Sequence, residues 1–247
     1  MTPERWLDAI RLESDRLAAT TPASLTLPVP TCPGWTVHDL LGHVGAVHRW
    51  AADRLMETRL YRGYDGIPVP EGAAVIDWYA AGRDLLVDAL ISRDPDSPAK
   101  TFVGERTVAF WYRRQAHELA VHRWDLESAT APAAQAPIEA DLAADGIDEW
   151  LEVFVPRFIA AGDPVPDEVL GRTIHLHAHD HTDRHWVLRP TAERFDVSDE
   201  PAEADVAIRA TADDLLLTVW HRRALDDADV VGDRDLAGAA LELVHVT

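Results

Sequence analysis

The run Arg114-Gln115-Ala116-His117-Glu118-Leu119-Ala120-Val121-His122-Arg123-Trp124-Asp125 carries the side chains best suited to chemistry. It has no Gly or Pro and is rich in helix formers, so it reads as helix. Glu118 and His122 are four residues apart, which on a helix places both side chains on one face, a turn apart. A carboxylate and an imidazole so arranged can grip one divalent cation from the same side. Two protein ligands make a weak site, so a third has to come from another part of the chain.

The elements that would supply it follow from period and punctuation. Thr2-Pro3 marks a first helix, with Thr as cap and Pro at the first position, running to about Ala19 with Trp6, Ile10 and Leu17 inward. Residues 21–33 are Pro-rich and β-branched, hence loop or extended. Thr36 followed by Asp39 forms a capping-box variant for a second helix, residues 37–61, with Leu40, Leu41, Val44, Val47 and Ala51 as its apolar stripe. His43 lies at the edge of that stripe, while His38 and His48 lie elsewhere on the wheel. A third helix is expected over residues 74–92 with Trp78, Leu85, Leu86 and Leu90 inward. A fourth starts near Glu105 or Thr107 and ends before Pro132, and a fifth spans 138–161.

In an antiparallel bundle, side chains from different helices converge on an interior point, so His43 can face Glu118 and His122. Two imidazoles and a carboxylate suit Zn²⁺, with Ni²⁺, Fe²⁺ or Co²⁺ as alternatives, and three ligands leave an open position. The spacing alone leaves a plainer reading open, in which His43 is a hydrogen-bonded core residue.

The breaker-rich Ala161-Gly162-Asp163-Pro164-Val165-Pro166 sets the expected boundary between residues 1–165 and 166–247. Beyond it the period changes to two, around residues 173–179, 185–189 and 205–209, which reads as a small antiparallel sheet. Residues 212–221 and 234–244 read as helices, so the fold class is α+β: a helical bundle followed by a small α+β domain.

Bulk composition narrows the partners. The 247 residues carry a formal charge of −20, which repels nucleic acid and anionic membranes. With Lys100 the sole lysine, arginine does the cationic work. A single cysteine, Cys32, excludes an internal disulfide and reads as a lone buried thiol. The polar N-terminus lacks the apolar core of a signal peptide, and no apolar run reaches about 18 residues, so a soluble cytoplasmic protein is expected. No Gly-x-Gly-x-x-Gly, phosphate loop or Gly-x-Ser-x-Gly occurs.

Pro33-Gly34-Trp35-Thr36-Val37-His38-Asp39-Leu40-Leu41-Gly42-His43-Val44, followed by His117-Glu118-Leu119-Ala120-Val121-His122-Arg123-Trp124-Asp125-Leu126, resembles the mycothiol-dependent maleylpyruvate isomerase family, part of the DinB-like metalloprotein bundles. The resemblance covers essentially the whole chain and implies a DinB-like four-helix bundle with a sterol-carrier-like α+β domain. It implies His43, Glu118 and His122 as metal ligands with water in the open place. It further implies a low-molecular-weight thiol, mycothiol, held by the metal as its nucleophilic thiolate. That thiolate would add to an electrophilic substrate, either for cis–trans isomerisation of a maleylpyruvate-like compound or for S-transfer. Arg222, after the helix that ends near Trp220, matches a catalytic, cofactor-holding arginine of the isomerase, with Arg223 beside it as a second cofactor-holding candidate. His221 stands where the family has glycine, and a helix-capping role for the arginine stays open.

Other readings compete. Asp125 can orient a ligand, or pair with Arg123 or Arg49 in a structural role. His175, His177, His179 and His181 alternate on one expected strand face, near Asp180 and Asp183, and offer either a rival metal signal or a polar face. Trp35, Trp111 and Trp124 read as core, with one able to wall the pocket. A non-enzymatic small-molecule binder with a vestigial metal is the alternative function. A metal-assisted hydrolase using His48 or Asp125 as base is a weaker one.

Overall fold

Thr2 caps the first helix, α1 (Pro3–Ala18), by accepting from the Arg5 N–H, and Pro3 fills the first turn where no N–H is needed. Three further helices complete the first unit: α2 (Val37–Met56), α3 (Ala74–Ile91) and α4 (Val108–Thr130). The computed structural model describes residues 1–162, 164–181, 184–200 and 203–245. Asp163 and Asp183, both used in the sequence reading, lie outside the described residues. The chain divides into two units, Met1–Pro137 and Ile138–Thr247.

In the first unit α2 packs on α3 and α4, and α1 packs on α4 and α3, which closes the four-helix bundle expected from the sequence. Leu40, Leu41, Val44, Val47 and Ala51 are all buried on α2. That helix stops at Met56 rather than residue 61. Asp53 turns its carboxylate onto the outgoing chain, accepting from Thr58 Oγ1 at 2.6 Å and the Leu60 N–H at 2.7 Å, and Glu57 takes a left-handed φ of 57°. On α3 the inward stripe is Val75, Tyr79, Gly82, Leu86, Ala89 and Leu90, whereas Leu85 is exposed. Trp78 is half-buried and lies over Gly45, under the Arg49 guanidinium at 3.7 Å from its ring centre. A two-stranded hairpin, β1 (Pro98–Thr101) and β2 (Gly104–Thr107), precedes α4, where the sequence offers only loop signals.

The second unit begins earlier than the sequence boundary at 165. The breakers at 162–166 punctuate its interior, because the preceding helix α5 (Ala140–Glu149) packs on α7 (Ala212–Val219) within that unit. The single helix expected over 138–161 is instead α5, a π-turn at Trp150–Phe154, and α6 (Val155–Ala161). Pro156 in the first turn of α6 has no N–H to give, and a wider turn before it is a standard relief. The sheet has order β5-β4-β3-β6-β7, from β3 (Ile174–Ala178), β4 (Arg184–Pro190), β5 (Phe195–Ser198), β6 (Val206–Ala210) and β7 (Asp229–Gly232). It is mixed rather than antiparallel throughout, since β3 and β6 run parallel. Ile174, Leu176 and Ala178 face the core and His175 and His177 the other side. The last helix is α8 (Arg234–Leu241).

One buried cation fastens the end of the bundle. Arg123 is fully buried, donates to Glu13 Oε2 at 2.7 Å and Glu127 Oε2 at 3.0 Å, and also donates to the Ala136 carbonyl. Burial pushes the Glu13 carboxyl up, and Arg123 opposes that rise. Removing the guanidinium leaves Glu13 buried without its cation. We therefore expect Arg123→Ala to cost about 3–5 kcal/mol in denaturant unfolding. A loss under about 1 kcal/mol would show that the pair is not what holds residues 131–137 to α4.

Candidate metal centre

The site is built from a turn, two helices and one buried carboxylate. Cys32-Pro33-Gly34-Trp35 closes with the Trp35 N–H on the Cys32 carbonyl at 3.0 Å. Pro at the second position and Gly34 at φ +85° suit a type II turn, where only glycine is at ease. The next residue but one starts α2: Thr36 Oγ1 accepts from the Asp39 N–H at 3.3 Å and Asp39 Oδ2 accepts from the Thr36 N–H at 2.8 Å. Turn and capping box together set Trp35 beside the second turn of α2, with its ring centre 4.9 Å from that of His43.

His43 from α2 meets Glu118 and His122 from α4, with one ligand atom from each all within 4.8 Å of one another. His43 Nε2 is 3.3 Å and His122 Nε2 3.4 Å from the same oxygen, Glu118 Oε1. The other carboxylate oxygen, Oε2, accepts from Arg114, one turn earlier on α4. Burial pushes the Glu118 carboxyl up, but Arg114 and His122 outweigh it and hold it well below the usual carboxylate range. His122 Nδ1 lies 2.9 Å from Asp125 Oδ2, and Asp125 is completely buried. Burial works against charge on His122, yet Glu118 and Asp125 prevail and raise it to about 9. Trp35 stacks near His122 at 6.4 Å, and Tyr64 sets its ring edge-on to His43 at 5.2 Å.

This donor set fits a divalent metal. Once His122 has lost its Nε2 proton, the Nδ1–H donated to Asp125 leaves an Nε2 lone pair aimed at the point that Glu118 Oε1 and His43 Nε2 also face. The carboxylate is ionised and the two rings differ in helix of origin, which gives a three-sided cradle suited to Zn²⁺ or a neighbouring transition ion.

Other residues fall differently. Besides its contact with His122, Asp125 accepts from Thr31 Oγ1 at 2.6 Å and Cys32 Sγ at 3.5 Å, which ties it to this site. Cys32 is thus half-buried against the site, not a core thiol. His48 is fully enclosed and burial lowers it to about 3, which removes it as a base in contact with solvent or substrate. Arg114, Thr31 and Tyr64 were not picked out from sequence. Arg114 carried a signal, since it is four residues before Glu118 and of opposite charge. Thr31 and Tyr64 are loop residues with none.

Arg222 and Arg223 belong to the second unit, at the end of α7. The helix closes in a Schellman motif, with Arg222 N–H on Leu217 O at 2.7 Å and His221 N–H on Thr218 O at 3.0 Å. His221 itself takes the left-handed φ of 57°. Arg222 donates to the Trp220 carbonyl at 2.8 Å, and Arg223 Nε lies 2.8 Å from Asp214 Oδ1. Both line a groove of about 370 Å³ with His221, Thr218 and Glu242. On β3 the expected face of four histidines is shorter: His179 and His181 lie past the strand end, and His185 from β4 stands opposite His177 instead.

The mycothiol maleylpyruvate isomerase N-terminal domain matches residues 7–127, and the MDMPI C-terminal domain matches 141–239. The chain belongs to the mycothiol maleylpyruvate isomerase family. A crystal structure of the mycothiol-dependent maleylpyruvate isomerase superposes with TM-score 0.63 at 16% identity, covering 93% of each chain. A histidine-to-alanine mutant of the mycothiol-dependent maleylpyruvate isomerase gives 0.64 at 15%, again over 93% of both. At that identity the likeness is one of fold. No curated protein sequence matches the chain. Among the described residues no helix is long and apolar enough to cross a membrane.

Two outcomes follow for the centre. Asp125→Asn should keep the bundle folded but weaken metal affinity by about 10–100-fold in a chelator competition, because His122 loses its anionic partner; unchanged affinity would remove Asp125 from the site. Proton and metal also compete for His122. Its pKa is raised, so the stabilisation from its charged form is complete below about pH 6.5 and disappears as pH rises through about 9. Metal affinity should therefore climb as pH approaches 9, with about one proton released per Zn²⁺ bound at pH 7.5. Calorimetry in buffers of different ionisation enthalpy measures this, and zero release would contradict it.

Proposed function

We propose that this protein is a divalent-metal enzyme that uses a low-molecular-weight thiol, mycothiol, against a small electrophile. The observation that carries the reading is the convergence of His43, Glu118 and His122 on one point in a member of this family. A bound Zn²⁺ or similar ion would supply Lewis acidity, holding the thiol sulfur in its nucleophilic, deprotonated form.

The chain's own residues have the remaining tasks. Arg114 keeps Glu118 ionised inside the bundle, where burial alone would favour a proton. Asp125 fixes the His122 tautomer and ring direction. Trp35 and Tyr64 border His43 with aromatic surface. Arg222, with Arg223, is proposed to hold the thiol cofactor; in a protein of net charge −20 such arginines, with the metal, are the local positive charge available to it.

Two reactions share this machinery. In isomerisation the sulfur adds beside a carbonyl across a cis double bond, the bond rotates, and elimination returns the thiol with the trans product. In S-transfer the carbon–sulfur bond stays and the thiol is consumed. Maleylpyruvate-like cis enones and thiol-reactive electrophiles are the corresponding substrate classes.

The test uses the Co²⁺-loaded full-length protein. Mycothiol should produce a sulfur-to-metal charge-transfer band, and His43→Ala should lose most of one metal equivalent while the helical circular dichroism stays unchanged. Absence of the band with mycothiol and other thiols would favour a binding protein over an enzyme, and full metal retention by His43→Ala would exclude this centre. Thiol accounting in turnover separates catalytic use, for isomerisation, from one-to-one consumption, for transfer.

A further inference from the structure

The second unit carries a histidine grouping that the thiol chemistry does not use. His177 on β3 stands directly opposite His185 on the antiparallel β4, and His175, two residues earlier, shares their face of the sheet. The ring centres are 5.5 Å apart for His175 and His185, 5.9 Å for His175 and His177, and 6.5 Å for His177 and His185. An imidazole bound to Zn²⁺ at about 2.0–2.1 Å has its ring centre about 3.2 Å from the ion, so two such rings at a tetrahedral angle sit about 5 Å apart. The two sides at His175 are within about an ångström of that spacing, and the His177–His185 side is longer by about 1.5 Å.

The hydrogen bonding suits it too. His175 Nε2 is enclosed and has no hydrogen-bond partner. The His185 Nε2–H donates to the Asp199 carbonyl, which fixes that tautomer and makes Nδ1 the nitrogen with a lone pair, the arrangement found behind many metal-bound imidazoles. Arg209, paired in register with His177 on β6, has its charge met by Asp229 of β7 at 3.9 Å.

We propose that His175, His177 and His185 form a second divalent-metal site, of three neutral imidazoles, taking Zn²⁺, Ni²⁺ or Cu²⁺. The softness of the donors excludes Ca²⁺ and Mg²⁺, which require oxygen ligands. Among the described residues only His43, Glu118 and His122 have ligand atoms already within 4.8 Å of one another. On this proposal the His175 and His177 rings turn toward an ion held at His185 Nδ1, while His185 keeps its contact with Asp199. Three ligands leave the ion an open coordination position.

Zn²⁺ stoichiometry of the full-length chain after equilibrium dialysis tests this independently of the thiol reading. The wild-type protein should take two equivalents and His43→Ala one. H43A/H177Q and H43A/H185N should take none, with the circular dichroism of the sheet preserved, while H43A/H179Q/H181Q keeps its equivalent. The proposal is overturned if His43→Ala binds no Zn²⁺, if both strand variants still bind it, or if the equivalent is lost with His179 and His181 instead. A loss specific to His43→Ala reports on the first centre and a loss specific to His177 or His185 on the second, so the two readings fail separately.

Discussion

An ionised carboxylate, Glu118, sits largely buried between two helices of the bundle. Its charge survives there because of its neighbours: at about 4 Å and an effective dielectric near 20, each opposite charge is worth about 4 kcal/mol, against a burial penalty of several kcal/mol per ion. Arg114 and His122 therefore tip the balance, and the carboxyl stays far below its ordinary range. The division of labour between its oxygens follows. Oε2 is occupied by Arg114, so Oε1 is the one presented to His43 and His122. A cation at that point completes a charge arrangement that the protein has already half built.

Keeping that arrangement in register falls to residues far apart in sequence. Asp125 aims His122, but Asp125 is itself held by Thr31, ninety-four positions earlier. Thr31 belongs to the loop whose Cys-Pro-Gly-Trp turn also sets Trp35 against His43. One short loop thus braces both helices that contribute ligands, which explains why the Gly-Trp-Thr stretch and the Glu-x-x-x-His stretch belong together physically. Gly34 supplies the left-handed turn and Thr36 the cap; neither touches the cation point, yet both decide where His43 begins its helix.

Local rules made part of this legible. The four-residue offset of Glu118 and His122, the cap at Thr36 and the apolar stripe of α2 all act within a turn or two of chain, where sequence and geometry are nearly the same thing. The bracing of Asp125 was not legible, because nothing in a one-dimensional pattern pairs residues 31 and 125. Arg114 was readable by the same i, i+4 rule as Glu118 and His122 and was passed over. The hairpin at β1 and β2 and the strands β5 and β7 are only four residues long, too short for alternation to rise above chance. Gly162 caps the end of α6, but the breakers around it do not mark the edge between the two units. Packing of α5 on α7 decides the edge, and breakers are blind to packing.

His221 shows how a departure in residue type can leave a backbone intact. The family resemblance places glycine there because the residue after a helix end takes positive φ, which costs an ordinary side chain about 1–2 kcal/mol. His221 nevertheless sits at φ 57°, and both hydrogen bonds of the Schellman closure are present. Its ring Nε2 also lies 2.9 Å from the Val244 carbonyl, a contact glycine cannot make. The strain is offset by tethering the helix end to the chain's last described turn. The backbone direction that presents Arg222 is therefore the one glycine would give, and replacing glycine does not by itself displace the arginine. The change adds an imidazole to the rim of the groove that Arg222 and Arg223 share, so what differs here from the family pattern is the lining of that groove rather than the path of the chain.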